Sequence, residues 1–194
     1  MQHILLVSSN TGRQALVEKA IDRENCSIIA LIETSANLAA ELDRGPSISI
    51  DMVVMDLDDN GEAELEAIRQ IMENKPLPVV MFVRQGNRES AANATAAGAS
   101  AYVVDGLQAD RVAPILAAAV TRFQETQTLR EELERTKASL EERKIIERAK
   151  GLLMQQRSCS EDEAYSALRK LAMQRNKRLA EIAASVIDAA ILMN

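Results

Sequence analysis

Five short aliphatic runs, each followed by a stretch with helical spacing, constrain this 194-residue chain more than any other feature. The runs are Ile4–Val7, Ser27–Ile32, Met52–Met55, Pro78–Val83 and Gly98–Val104. Between them, Thr11–Arg23, Asn37–Leu42, Glu64–Met72 and Glu89–Ala97 place apolar residues three and four apart, and a fifth such stretch opens at Val112. Apolar runs this short, with no polar alternation, predict strands covered on both faces, and strands alternating with helices predict a parallel sheet. The expected fold is therefore α/β, a five-stranded parallel sheet between helical layers over residues 1–120. In such sheets functional side chains gather at the carboxyl ends of the strands. Asp56, closing the third run, stands there.

Composition narrows the function classes. Apolar residues make up 47% and charged residues 27%, while aromatics are 2% and Trp is absent, so the core is aliphatic. No apolar run approaches the ~18 residues of a membrane span. Residues 1–9 lack the basic start and the length of a signal peptide, so a cytoplasmic protein without membrane contact is expected. Two cysteines, Cys26 and Cys159, are too few for a disulfide framework or a metal cluster. His3 is the sole histidine, which excludes chemistry by a histidine pair. No catalytic residue, metal or cofactor is expected, and the chain reads as a non-enzyme.

After Pro114 there is neither Gly nor Pro as far as Lys144. Leu116, Phe123, Leu133 and Leu140 hint at a heptad, interrupted by Thr126, Arg130, Lys137 and Lys144. A lone exposed helix of this length has little to stabilise it. Residues 121–143 are expected to form a helical connector: a coiled coil, paired in a homodimer or folded on the first domain, or a plain linker.

Residues 144–194 read as a separate three-helix module. Ile145, Ile146, Ala149, Leu152 and Leu153 form one apolar arc on a helix expected to end near Gln156. Ser160-Glu-Asp-Glu163 is a capping box opening a second helix with Ala164, Leu168, Leu171 and Ala172 inward. Leu179, Ile182, Ala183, Val186, Ile187 and Ala190 stripe a third. The chain carries −6 overall, yet residues 141–194 hold ten Lys or Arg against eight Asp or Glu. A polyanion contact is thus expected at this end, as a local patch. Arg143, Lys150 and Arg157 recur every seven residues on one flank of the first arc, with Lys144 and Arg148 on the other.

The first 120 residues resemble the receiver domain of two-component response regulators. Asp56 in V-V-M-D-L falls on the phosphoacceptor position, and Gly98-Ala-Ser-Ala-Tyr102 on the entry to the fifth strand, with Tyr102 at the aromatic switch position. The departures lie at the site itself. Ser8 and Ser9 replace the acidic pair that binds magnesium, Val83 replaces a Thr or Ser, and Asp105-Gly106 replaces Lys-Pro. Phosphoryl transfer to a carboxylate needs a divalent cation and a second positive charge, so Asp56 is expected to be a vestigial phosphoacceptor and this domain a docking surface.

The tail is similar to the ANTAR domain, through K-I-I-E-R-A-K-G-L-L-M (Lys144–Met154), S-E-D-E-A-Y-S-A-L-R-K-L-A-M (Ser160–Met173) and R-L-A-E-I-A-A-S-V-I (Arg178–Ile187). The combined order resembles nitrate/nitrite-assimilation antiterminators of the NasT type. That resemblance implies binding of paired hairpins in an mRNA leader, which prevents a terminator from forming. It also implies control by a nitrate-sensing partner of the periplasmic-binding-protein type (NasS type). RNA loops are met through phosphates and splayed bases, which Arg suits. The candidate contacts are Arg143, Lys144, Arg148, Lys150 and Arg157, then Arg169, Lys170, Arg175, Lys177 and Arg178. Ala149 and Gly151 are candidates for close backbone approach. Two other readings stand beside this one: a phosphorylation-dependent response regulator acting on DNA, and a coiled-coil adaptor.

Overall fold

A computed structural model describes residues 2–21, 26–35, 38, 42, 49–59, 61–105 and 107–192, without the side chains of the last two. The helix expected over Asn37–Leu42 lies outside the described residues except at Leu38 and Leu42, as does Gly106. The chain divides into two compact units, Met1–Gln127 and Thr128–Asn194.

In the first unit the strands are β1 (Gln2–Ser8), β2 (Cys26–Ile32), β3 (Met52–Leu57), β4 (Val79–Val83) and β5 (Ala101–Val104). They form one parallel sheet in the order β2-β1-β3-β4-β5. The helices are α1 (Thr11–Ile21), α2 (Glu62–Asn74), α3 (Arg88–Ala97) and the start of α4 (Ala109–Arg157). The absence of alternation in the apolar runs is explained by two cores. Leu5, Val7, Val53 and Met55 pack with Leu65, Ile68 and Ile71 of α2 on one face. Ile4, Leu6, Val54 and Phe82 pack with Val17 and Ile21 of α1 and Val112 and Leu116 of α4 on the other. Successive strand residues point to opposite faces, so both parities must be apolar.

The fifth run divides. Gly98 ends α3 in the left-handed region at φ 116°, where a Cβ would also strike Met72, and Ala99 and Ser100 lead into β5. This is a glycine helix stop with a steric reason behind it.

The expected fifth helix, the connector and the first tail helix are one element, the 49-residue α4. Because α4 starts at Ala109, Pro114 lies in its second turn. Its ring removes the hydrogen bond that an N–H there would give to Asp110. The second unit adds α5 (Glu161–Arg175) and α6 (Leu179–Leu192). Its core joins Ala149 and Leu153 of α4, Ala164, Leu168 and Ala172 of α5, and Ile182, Ala183 and Ile187 of α6. The predicted box forms as drawn. Ser160 Oγ accepts from the Glu163 amide, and the Ser160 amide donates to Glu163 Oε2 at 2.8 Å. Asn176 closes α5 in the left-handed region at φ 51°.

Candidate functional site

Among the described residues, two places carry clustered polar chemistry, one in each unit. The first is the carboxyl edge of the sheet. Register pairs Ser8 of β1 with Asp56 of β3, and Ser8 Oγ donates to Asp56 Oδ2 at 3.1 Å. Arg13, in the first turn of α1, brings Nη2 within 2.6 Å of Asp56 Oδ1. The Asp56 side chain is only 1% exposed. The contact is an ion pair, and neither Arg13 Nε nor Asp56 Oδ1 has a well-formed hydrogen bond among the described residues. Burial pushes the Asp56 carboxyl above its ordinary value, while the Arg13 charge and the Ser8 hydrogen bond pull it back without cancelling the rise.

Around this pair the expected departures can be followed at the described positions. Ser9 is exposed. Asp58, the nearest further carboxylate in sequence, pairs with Arg84 at 2.9 Å. Asp105 takes a left-handed backbone, φ 48°, and its amide donates to the Val83 carbonyl. Tyr102 is half-buried against the α2–α3 core, and its hydroxyl lies where a Cβ on Gly86 would be. Both Asp56 oxygens therefore face protein groups, one a cation and one a hydroxyl. Arg13 was not foreseen from sequence. The legible signal was a cation placed just beyond a strand end that had lost its acidic pair.

The second place is the surface of the Thr128–Asn194 unit. Arg143 and Arg148 on α4, and Arg157 at its end, are exposed. So are Arg169 and Lys170 on α5, Arg175 at its last residue, and Lys177 and Arg178 in the turn before α6. None of these eight makes an ion pair among the described residues. Lys144 is exposed too, but pairs with Glu141 one turn back. The Ala164–Ala180 segment holds five of the eight and has no Asp or Glu at all.

Two residues grouped with these cations on sequence grounds are placed differently. Ala149 is fully buried in the module core and has no surface to offer. Lys150 is turned inward, its side chain 9% exposed, with Nζ 2.8 Å from Glu147 and 2.6 Å from Glu161. Hydrogen bonds to Glu147 and then Glu161 hold its amine above the ordinary lysine value. Glu161 is held below its ordinary value by that hydrogen bond. Lys150 thus ties the end of α4 to the first turn of α5, and a seven-residue spacing shared with Arg143 and Arg157 could not distinguish tying from presenting. Gly151 is exposed on the same side of α4 as Lys144 and Arg148, and no atom lies within 4 Å of where its Cβ would be.

A parallel sheet in this strand order, with an acidic residue at the end of β3, defines a receiver-like domain, here joined to an all-helical module. The fold is similar to a response regulator from Thermotoga maritima at a TM-score of 0.55 and 20% identity, covering 62% of this chain and 98% of that one. A CheY-like receiver domain protein from Methanospirillum hungatei aligns equally well, at 0.55 and 13% identity over 65% of this chain and 98% of that one. The ANTAR domain family matches residues 134–187. The transcriptional regulatory protein PdtaR of Mycobacterium tuberculosis is 30% identical over 138 residues, 71% of this chain and 67% of that protein. This chain belongs to the ANTAR-domain transcriptional regulators with a receiver-like N-terminal domain. The nitrate regulatory protein of Klebsiella oxytoca is 46% identical over 63 residues, 32% of this chain but 16% of that protein. No helix among the described residues is long and apolar enough to cross a membrane.

Proposed function

We propose that this protein binds RNA and regulates transcription by antitermination, as a non-catalytic member of its family. The observation that carries the reading is the set of eight exposed cations without ion-pair partners among the described residues, all of them inside the ANTAR match. A solvated helix face is normally laced with carboxylates at three- and four-residue spacing, as α4 is around Glu131–Lys137. Along Ala164–Ala180 that lacing is missing. Uncompensated Arg and Lys favour a polyanion through phosphate contact and counterion release. The bare Gly151 beside Lys144 and Arg148 leaves backbone open to close approach by a phosphate.

The preferred target is a pair of hairpins in the leader of a nitrate/nitrite-assimilation mRNA, whose binding keeps a terminator from forming. Similarity to the Klebsiella oxytoca nitrate regulatory protein supports that choice of pathway. A nitrate-sensing protein of the periplasmic-binding type is the proposed controlling partner, met through residues 1–120. Residues 121–143 pair two copies, and residues 144–194 bind RNA. Asp56 is a vestigial phosphoacceptor: its oxygens are engaged by Arg13 and Ser8, and no acidic pair stands at Ser8-Ser9 to hold magnesium.

The test is a salt series of binding to a two-hairpin leader RNA, with and without the sensor protein and nitrate. Arg148→Gln and Arg178→Gln are each expected to weaken binding and to lower the slope against log salt by about one. Wild-type binding that is no tighter than to an unstructured RNA of equal length would sink the reading.

A further inference from the structure

Tyr165 is the sole aromatic residue between Thr128 and Asn194. Such a ring in a small aliphatic module would be expected in its core. Instead Ala164, Leu168 and Ala172 fill the inward face of α5, and Tyr165 stands on the flank, 42% exposed. Its hydroxyl makes no hydrogen bond among the described residues. Arg169 lies one turn on at i+4, and Met173, 74% exposed, one turn beyond that. Residues four apart on a helix have Cβ atoms about 5–6 Å apart. The ring, the guanidinium and the thioether thus form one slanted strip on the acid-free, cation-rich segment described above.

We propose that Tyr165 and Arg169 form a stacking site for one unpaired RNA base, with Tyr165 beneath the base and Arg169 on the adjoining phosphate. The inference rests on the RNA-binding reading and adds to it a residue with no charge. An exposed ring alone would serve a protein partner equally well. What selects RNA is the side of the ring toward the end of the helix, which carries Arg169, Lys170 and Arg175 and no carboxylate; Glu161 and Asp162 lie one turn before the ring, and Glu161 is tied to Lys150. A polyanion whose flat groups are bases satisfies both the ring and the charge. A base held between phosphates presents the π-face that Tyr needs and the anion that Arg forks onto. Met173 extends the apolar floor at the far end of the strip. The site takes a base from a loop or bulge, because a paired base has no free face.

The probe is the tightest binder of a pool of two-hairpin RNAs with randomised loops, selected on the full-length wild-type chain. 2-Aminopurine is then placed at each loop position in turn and its fluorescence followed on binding. One position is expected to be quenched by wild type and by Tyr165→Phe, which keeps the ring, with affinities within about two-fold. Tyr165→Leu, which preserves helix propensity and is checked by circular dichroism, is expected to lose that quench. It is also expected to lose affinity by about 5- to 150-fold, the range of a single base–aromatic stack. Arg169→Gln is expected to weaken binding and keep the quench. Tyr165→Leu binding the selected RNA as wild type does, or a quench that persists in it, overturns the stacking site while the RNA reading stands; the strip then belongs to a protein partner. A pool that enriches no RNA overturns the RNA reading and this site with it.

Discussion

Arg13 does at the sheet edge what a bound cation does elsewhere: it sets a positive charge against a carboxylate that burial disfavours. Removing one partner of a buried pair leaves the other charged without compensation, which costs several kcal/mol when both are fully enclosed. Arg13 is 19% exposed, so Arg13→Ala is expected to cost less, about 2–3 kcal/mol in urea melts at neutral pH. The direction with pH follows from the raised carboxyl. Asp56 binds its proton more tightly folded than unfolded, where its value is 3.8. Ionising it therefore weakens the fold as pH rises through that interval, and protonating it relieves the cost. Arg13→Ala is accordingly expected to lose less stability in mild acid than at neutrality. An equal loss at both would show that Arg13 contributes packing alone. The same pair predicts no stable labelling of wild type by acetyl phosphate with magnesium.

At the scale of the element, the end of α4 and the start of α5 are a cap and a tie. Glu163 is held below its ordinary value by the Ser160 amide, and Glu161 by Lys150. Both carboxyls have ordinary values of 4.5. Their contribution is present above that value and lost as pH falls through the lower folded values. The thermal midpoint of the tail helices should thus fall in acid, and Glu161→Gln with Ser160→Ala should flatten the dependence. Circular dichroism of the full chain between about pH 6 and pH 3 reads it. Gly151 makes the opposite kind of prediction. Nothing within 4 Å opposes a Cβ there, so Gly151→Ala should stabilise the module by about 1 kcal/mol. If RNA backbone lies against that bare turn, the same variant binds RNA less well while being the more stable protein. A rise in stability with unchanged affinity would remove Gly151 from the interface.

At the scale of the molecule, α4 carries Leu129, Leu133 and Leu140 outward, 66%, 53% and 53% exposed. Leu133 and Leu140 are one heptad apart, and charged pairs such as Lys137 with Glu134 flank them. A long helix with a leucine column and charged borders is the geometry of a coiled-coil seam. The full chain is therefore expected to sediment as a dimer. Leu133→Lys should shift it to monomer without loss of the receiver-like fold. A wild-type monomer at all accessible concentrations would leave the leucines to another partner.

The chain order by itself determined the sheet, because aliphatic runs without alternation can be satisfied only between two apolar layers. It also determined the cap of α5, since a capping box is written within four residues. Tertiary structure alone decided the rest. Whether Lys150 faces outward depends on where Glu161 comes to lie. Helical spacing fixes only that Lys150 shares a flank with Arg143 and Arg157. The seal on Asp56 needed Arg13 and Ser8 brought from a different strand and helix, 43 and 48 positions away in the chain. Tyr165 could be assigned to surface or core only once Leu168 and its neighbours had filled the module interior. Local pattern sets period and propensity, while side-chain exposure and charge compensation are set by neighbours remote in sequence.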